Sequence, residues 1–223
     1  QPHHHLHITT VFIWIGLLLT QLTLMARGSR EMHRKVGLAV LVAGPLLVAT
    51  TAKLSVHSAH KGVVSGEGDF LIIQNVMVTI ELGLLIFLAF LLKNRRKLHG
   101  SLLLSTTILF MGIGLFFVMI SFVPQFRIEG PETFYRFQTA AITGQVICVA
   151  VGFLFFIRDW RNGWPFLAAG LCFFLNEAIR SLLTSFGLID RLTEIVGSMS
   201  KPLMFVATFS LLFSLLAATA LPT

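Results

Sequence analysis

The chain has 223 residues, of which 55% are apolar and only 12% charged. That balance excludes an ordinary soluble domain, in which about a quarter of residues carry charge. The net charge of +7 comes without a basic groove interleaved with aromatics, so nucleic acid is excluded as a partner.

Seven runs are long enough to supply the about 20 helical residues that cross a hydrocarbon core. None alternates as barrel strands do, so the expected fold class is all-α, a polytopic helix bundle forming a single transmembrane domain over residues 1–223. The first run, Ile8 to Met25, contains Trp14 and Gln21 and follows His3, His4, His5 and His7. The second, Val36 to Val56, carries Pro45, Thr50 and Lys53 and ends just before His57 and His60. Phe70 to Leu92 is the third, with Gln74, Asn75 and Glu81; Ser101 to Val123 is the fourth. The fifth, Phe137 to Ile157, holds Gln145 and Cys148, and the sixth, Pro165 to Leu183, holds Cys172, Asn176, Glu177 and Arg180. Pro202 to Leu221 is the seventh and contains no charge.

Orientation follows from short-loop lysines and arginines, which favour the cytoplasmic side. Arg27, Arg30, Arg34 and Lys35 separate the first two runs, Lys93, Arg95, Arg96 and Lys97 the third and fourth, and Arg158 and Arg161 the fifth and sixth. These place the N-terminus outside and the C-terminus in the cytoplasm. The same basic face suits anionic lipid head groups.

A weak repeat links Met32-His33-Arg34-Lys35-Val36-Gly37 to Arg96-Lys97-Leu98-His99-Gly100-Ser101, each opening a span from the basic side. The order of the N-terminal histidines, Trp14-x6-Gln21, His33-Arg34-Lys35-x-Gly37 and Arg95-Arg96-Lys97-x-His99 resembles a widespread group of bacterial integral membrane proteins of uncharacterised function. The resemblance covers the first four spans. It implies a polytopic topology and a bacterial inner-membrane location, and it implies no activity.

Six of the eight histidines fall on the outer side of this threading. Imidazole is a common ligand of Zn, Cu and haem iron, so His57, His60, His3, His5 and His7 form a candidate metal set. His57 and His60 are three apart and share a helix face, and His3 and His7 are four apart and do so if the N-terminus is helical. The competing reading makes these interfacial polar residues, with the His3 to His5 run a processing remnant. His33 and His99 read as head-group-level residues beside Lys and Arg.

Within the spans, Glu81 lies 11 residues into the third run, about 16 Å down at 1.5 Å per residue. Such an acid is protonated, paired or wet. Glu177 and Arg180, three apart, are placed for an intrahelical ion pair. Lys53, Gln74, Asn75, Asn176 and Gln145 add polar groups at similar depth, forming either a packing network or a polar pocket beneath the histidines. Cys148 and Cys172 have no Cys-x2-Cys spacing and read as small core residues. The seventh run lacks the lysine a retinal Schiff base needs, no histidine follows His99 to complete a zinc-hydrolase set, and no nucleotide or nucleophile motif appears.

The leading expectation is a metal- or haem-binding membrane protein, an accessory or redox-related component with Cu, Zn or haem as cofactor. A structural subunit of a larger membrane complex and a small proton-coupled transporter using Glu81 are the alternatives. Enzyme activity has no motif behind it.

Overall fold

The computed structural model describes residues 2–220, with side chains from His4 to Thr219. The described residues form nine α-helices and no strand: α1 (Pro2–Ala26), α2 (Arg30–Gly37), α3 (Val40–Ser65), α4 (Ile72–Leu91), α5 (Arg96–Phe122), α6 (Tyr135–Arg158), α7 (Trp160–Ser185), α8 (Ile189–Gly197) and α9 (Lys201–Ala220). Seven of them, all but α2 and α8, are long and apolar enough to cross a membrane, which marks the chain as an integral membrane protein. Leu221, the end of the seventh expected run, lies outside the described residues.

Several boundaries differ from those read in the sequence. Helix α1 begins at Pro2, because proline suits a first turn whose N–H groups have no intrahelical partner; the histidine stretch is therefore helical. Helix α3 runs on to Ser65 and stops at Gly66, whose φ of 74° is the left-handed conformation glycine adopts most readily. His57 and His60 therefore sit within a continuous helix rather than at its end. The basic stretch before the second span is a separate short helix, α2, with no buried residue. A second short helix, α8, precedes the last span.

The helices cluster in two compact units, Gln1–Leu91 with Asn176–Thr223, and Leu92–Leu175. In the first unit α3 is the central element, packing against α1, α4, α8 and α9. Its most apolar stretch is 61% buried, against 11% for α9. Small residues make this possible: Gly44, Ala49, Ala52, Ser55, Ala59 and Gly62 are all buried. At Gly62 the returning loop passes so close that an added Cβ would lie 2.3 Å from the Gly68 carbonyl oxygen. Helix α1 faces α3 with a stripe comprising Trp14, Leu18 and Gln21, all buried, and the Trp14 ring reaches to 3.6 Å of the space beside Gly44. Val56, Ala59, Ile72, Ile73 and Val196 form one apolar cluster that joins α3, α4 and α8.

In the second unit α5 and α6 pack together. Gly112 accommodates the Phe173 ring, and Gly152 meets the Phe166 carbonyl so closely that a Cβ would sit 2.5 Å from it. Cys148 is buried with its thiol 3.7 Å from the Ile108 carbonyl, and Cys172 is half-buried. Asp159 caps α7, accepting from the Asn162 side chain (2.9 Å) and backbone (3.3 Å). These hydrogen bonds, with Lys97 nearby, hold its carboxyl below the usual carboxylate range.

Candidate functional site

The site grows from the phase of α1. At about 100° per residue, His4, His7 and Thr10 continue the arc that buries Trp14, Leu18 and Gln21, whereas His5 lies about 180° from Trp14. His4, His7 and Thr10 therefore lie on the side of α1 toward α3, with Thr10 buried, His7 half-buried and His4 exposed at the end of the helix, and His5 is exposed on the other side. The His3 side chain lies outside the described residues.

Antiparallel packing then matches polar residues pairwise along α1 and α3. The Thr10 hydroxyl donates to the His7 carbonyl (2.7 Å) and lies 2.9 Å from the Thr50 hydroxyl. Thr50 also contacts the Leu47 carbonyl (2.8 Å) and His7 Nδ1 (3.5 Å). Both threonines are buried. Two turns further along, the His4 ring meets the His57 ring edge-on with centroids 5.9 Å apart.

Helix α9 supplies the third wall. Lys201 Nζ lies 3.2 Å from His57 Nδ1. An ammonium has donors and no acceptor, so His57 Nδ1 accepts and the ring proton is assigned to Nε2. Lys53, one turn from His57 on α3, places its ammonium 5.8 Å from the centroid of the Phe205 ring on α9, a cation–π contact. His60 faces α8 instead: its Nδ1 donates to the Gly197 carbonyl (3.3 Å). Gly197 permits this approach, because a Cβ there would lie 3.1 Å from the Ala59 backbone.

The arrangement is rich in hydrogen-bond donors and cationic. Among the described residues, neither Lys53 nor Lys201 is ion-paired, and no group of three or more His, Cys, Asp or Glu is placed to hold a metal ion. Comparison of the chain with protein-family models, curated proteins and solved structures returned no match. The geometry is therefore the whole basis for a functional reading.

The other polar residues read from the sequence form separate groups. Asn176 Nδ2 donates to Gln74 Oε1 (3.3 Å), joining α7 to α4; Asn176 is fully buried, and its Oδ1 has no hydrogen-bond partner among the described residues. Asn75 contributes its backbone carbonyl, which accepts from Ser55 (3.0 Å) and Thr79 (2.8 Å). Glu177 and Arg180 form the ion pair their spacing offers, with Arg180 Nε 2.9 Å from Oε2 and a second contact to Oε1. The Arg180 guanidinium also lies 5.1 Å from the Phe70 ring centroid. A cleft of about 310 Å³ beside it is lined by Phe70, Arg180, Thr184, Gly187, Ile189 and Asp190. Glu81 is buried on α4, and Gln145 lies on α6, in the other unit.

At the far end of α1, Gln21 binds α2. In the amide orientation that satisfies both ends, it donates to the His33 carbonyl (3.2 Å) and to His33 Nδ1, and accepts from the Gly37 N–H (2.8 Å). Gln21 and His33 thus tie α1 to α2.

Sequence reasoning did not assign Lys201, Phe205, His4 or Thr10 to the site. Lys201 reads as a loop charge because nothing local shows that the last span packs on the second. His4 and Thr10 were legible in principle: projecting α1 from Trp14 and Leu18 puts both on the packed face and removes His5.

Proposed function

We propose that the protein binds an anionic group, a phosphate or a carboxylate, between α1, α3 and α9. It does so in the outer half of a bacterial inner membrane, with the N-terminus outside and the C-terminus cytoplasmic. The orientation and location rest on the loop charges and on the sequence resemblance. The anion reading is carried by one observation, the Lys201 ammonium held 3.2 Å from His57 Nδ1. That contact places a cation against the His57 ring, and this cation has no ion-pair partner among the described residues.

Elementary electrostatics supports this reading over a cation. Lys53 and Lys201 are half-buried, and two ammonium groups beside several imidazoles favour a negative ligand over a cation by simple Coulomb attraction. Lys53 adds a second cation within one turn of His57, and the His4 and His7 rings add donors from α1. A transition metal is the second reading, favoured by the facing His4 and His57 rings. It requires Lys201 to withdraw so that His57 can present a lone pair.

Calorimetric titration of the purified full chain with inorganic phosphate tests the first reading. Affinity is expected to fall with added salt, and to fall about tenfold in Lys201→Gln, the loss of one charge-assisted hydrogen bond. Unchanged affinity in both Lys201→Gln and Lys53→Gln rejects the reading. Elemental analysis of the same preparation tests the second: near-stoichiometric Cu, Zn or Fe, lost in the double variant His4→Ala with His57→Ala, would replace the anion by a metal.

A further inference from the structure

We propose that the anionic group is the head of a lipid whose hydrocarbon chain lies in the groove between α1 and α3. This rests on the anion reading above and adds the identity of the ligand's other half. The groove has a volume of about 370 Å³ and is lined by Thr10, Ile13, Ala39, Val42, Ala43 and Leu46. Five of these six side chains are hydrocarbon. The sixth, Thr10, has its hydroxyl engaged by the His7 carbonyl and Thr50, which leaves its methyl group for an apolar ligand.

Continuity with the cationic site decides the occupant. Thr10 belongs to both: it closes the groove and hydrogen-bonds the base of the histidine cluster. On α1, His7 and His4 lie three and six residues beyond it, about 4.5 and 9 Å along the axis. On α3, Leu46 is four residues from Thr50, and Ala39, in the turn just before α3, is about 10 Å further away from the cluster. Cations at one end and an apolar trough running away from them along the helix axes match an amphiphile that stands with its head at the interface and its chain toward the membrane middle. A free anion would use only the first of these features. Ile13 and Val42 are each 51% exposed, so the groove opens sideways and a lipid can enter from the bilayer without displacing a helix.

The test uses the full chain with two probes. One is inorganic phosphate, titrated in detergent; the other is phosphatidylglycerol in phosphatidylcholine nanodiscs, with retained lipid counted by native mass spectrometry. Ala43→Phe and, as a milder variant, Ala39→Leu fill the groove. Both are expected to leave phosphate affinity unchanged, which also shows that the variants fold. Phosphatidylglycerol retention should fall about tenfold, equivalent to losing roughly two buried methylene groups. Lys201→Gln is expected to weaken both probes. Wild-type lipid retention in both groove variants overturns the lipid inference and leaves anion binding standing, as does phosphate binding with no retention of phosphatidylglycerol by the wild type. Loss of neither probe in either Lys201→Gln or Lys53→Gln overturns both.

Discussion

Replacing Thr50 by valine removes the hydroxyl at which α1 and α3 are joined while keeping the shape of the side chain. Thr50 makes two contacts between the helices, 2.9 Å to the Thr10 hydroxyl and 3.5 Å to His7 Nδ1, and one within its own helix, 2.8 Å to the Leu47 carbonyl. An interhelical hydrogen bond in a membrane contributes about 0.6 kcal/mol. The valine variant is therefore expected to lose about 0.6 kcal/mol if the long His7 contact contributes nothing, and about 1.2 kcal/mol if it counts in full, an up to about eightfold change in the unfolding equilibrium. The assay is reversible unfolding in mixed micelles on titration with a denaturing detergent, run as a double-mutant cycle with Thr10→Val. The coupling between the two sites should be near 0.6 kcal/mol, the value of the bond they share. A coupling indistinguishable from zero, or a valine variant more stable than the parent, would refute the idea that these hydroxyls hold α1 on α3.

Two further outcomes follow from close approach and from capping. Gly62→Ala places a methyl group 2.3 Å from the Gly68 carbonyl oxygen, so the loop between α3 and α4 must shift, with a loss of about 1–3 kcal/mol in the same unfolding assay; a neutral effect would show that the loop is not held against α3. Asn162→Ala removes the largest influence holding the Asp159 carboxyl below its ordinary range, so its titration, followed by NMR, should move upward. A depressed carboxylate contributes stability above its unfolded-state pKa and loses it as pH falls through the lower folded-state value. The parent should accordingly lose this contribution at a lower pH than usual for an aspartate, and an unchanged Asp159 titration in the variant would remove Asn162 as the cause.

The seven long helices were legible because length and apolar composition are properties of each segment alone. The Glu177–Arg180 pair was legible for the same reason, since three residues of spacing bring both onto one face of α7. What escaped the sequence depends on partners. The start of α1 is rich in histidine and reads as polar flanking sequence, yet it is helical because it continues a stripe already committed to α3. Helices α2 and α8 are short and amphipathic, too polar to register as spans. Lys201 is one residue before an apolar run and carries no local sign that it will meet His57, 144 residues earlier. The polar residues at similar depth, Gln74, Asn75, Glu81 and Asn176, read from the sequence as either a packing network or a polar pocket; in the structure Gln74 bonds Asn176, and Asn75 accepts from Ser55 and Thr79 through its backbone carbonyl.

The order in which the walls of the site leave the ribosome has its own implication. Helices α1 and α3 emerge early and can pair while later helices are still being made, but Lys201 and Phe205 arrive only with α9, after α1 to α8. Until then Lys53 has no aromatic face to lie on and His57 has no ammonium beside it. The contacts of Lys201 with His57 and of Lys53 with Phe205 therefore form only once α9 is made, and a chain halted before residue 201 would carry α1 and α3 without them. If the anion proposal holds, ligand retention would report that α9 has inserted and packed on α3, a step separate from insertion of α1 and α3 themselves.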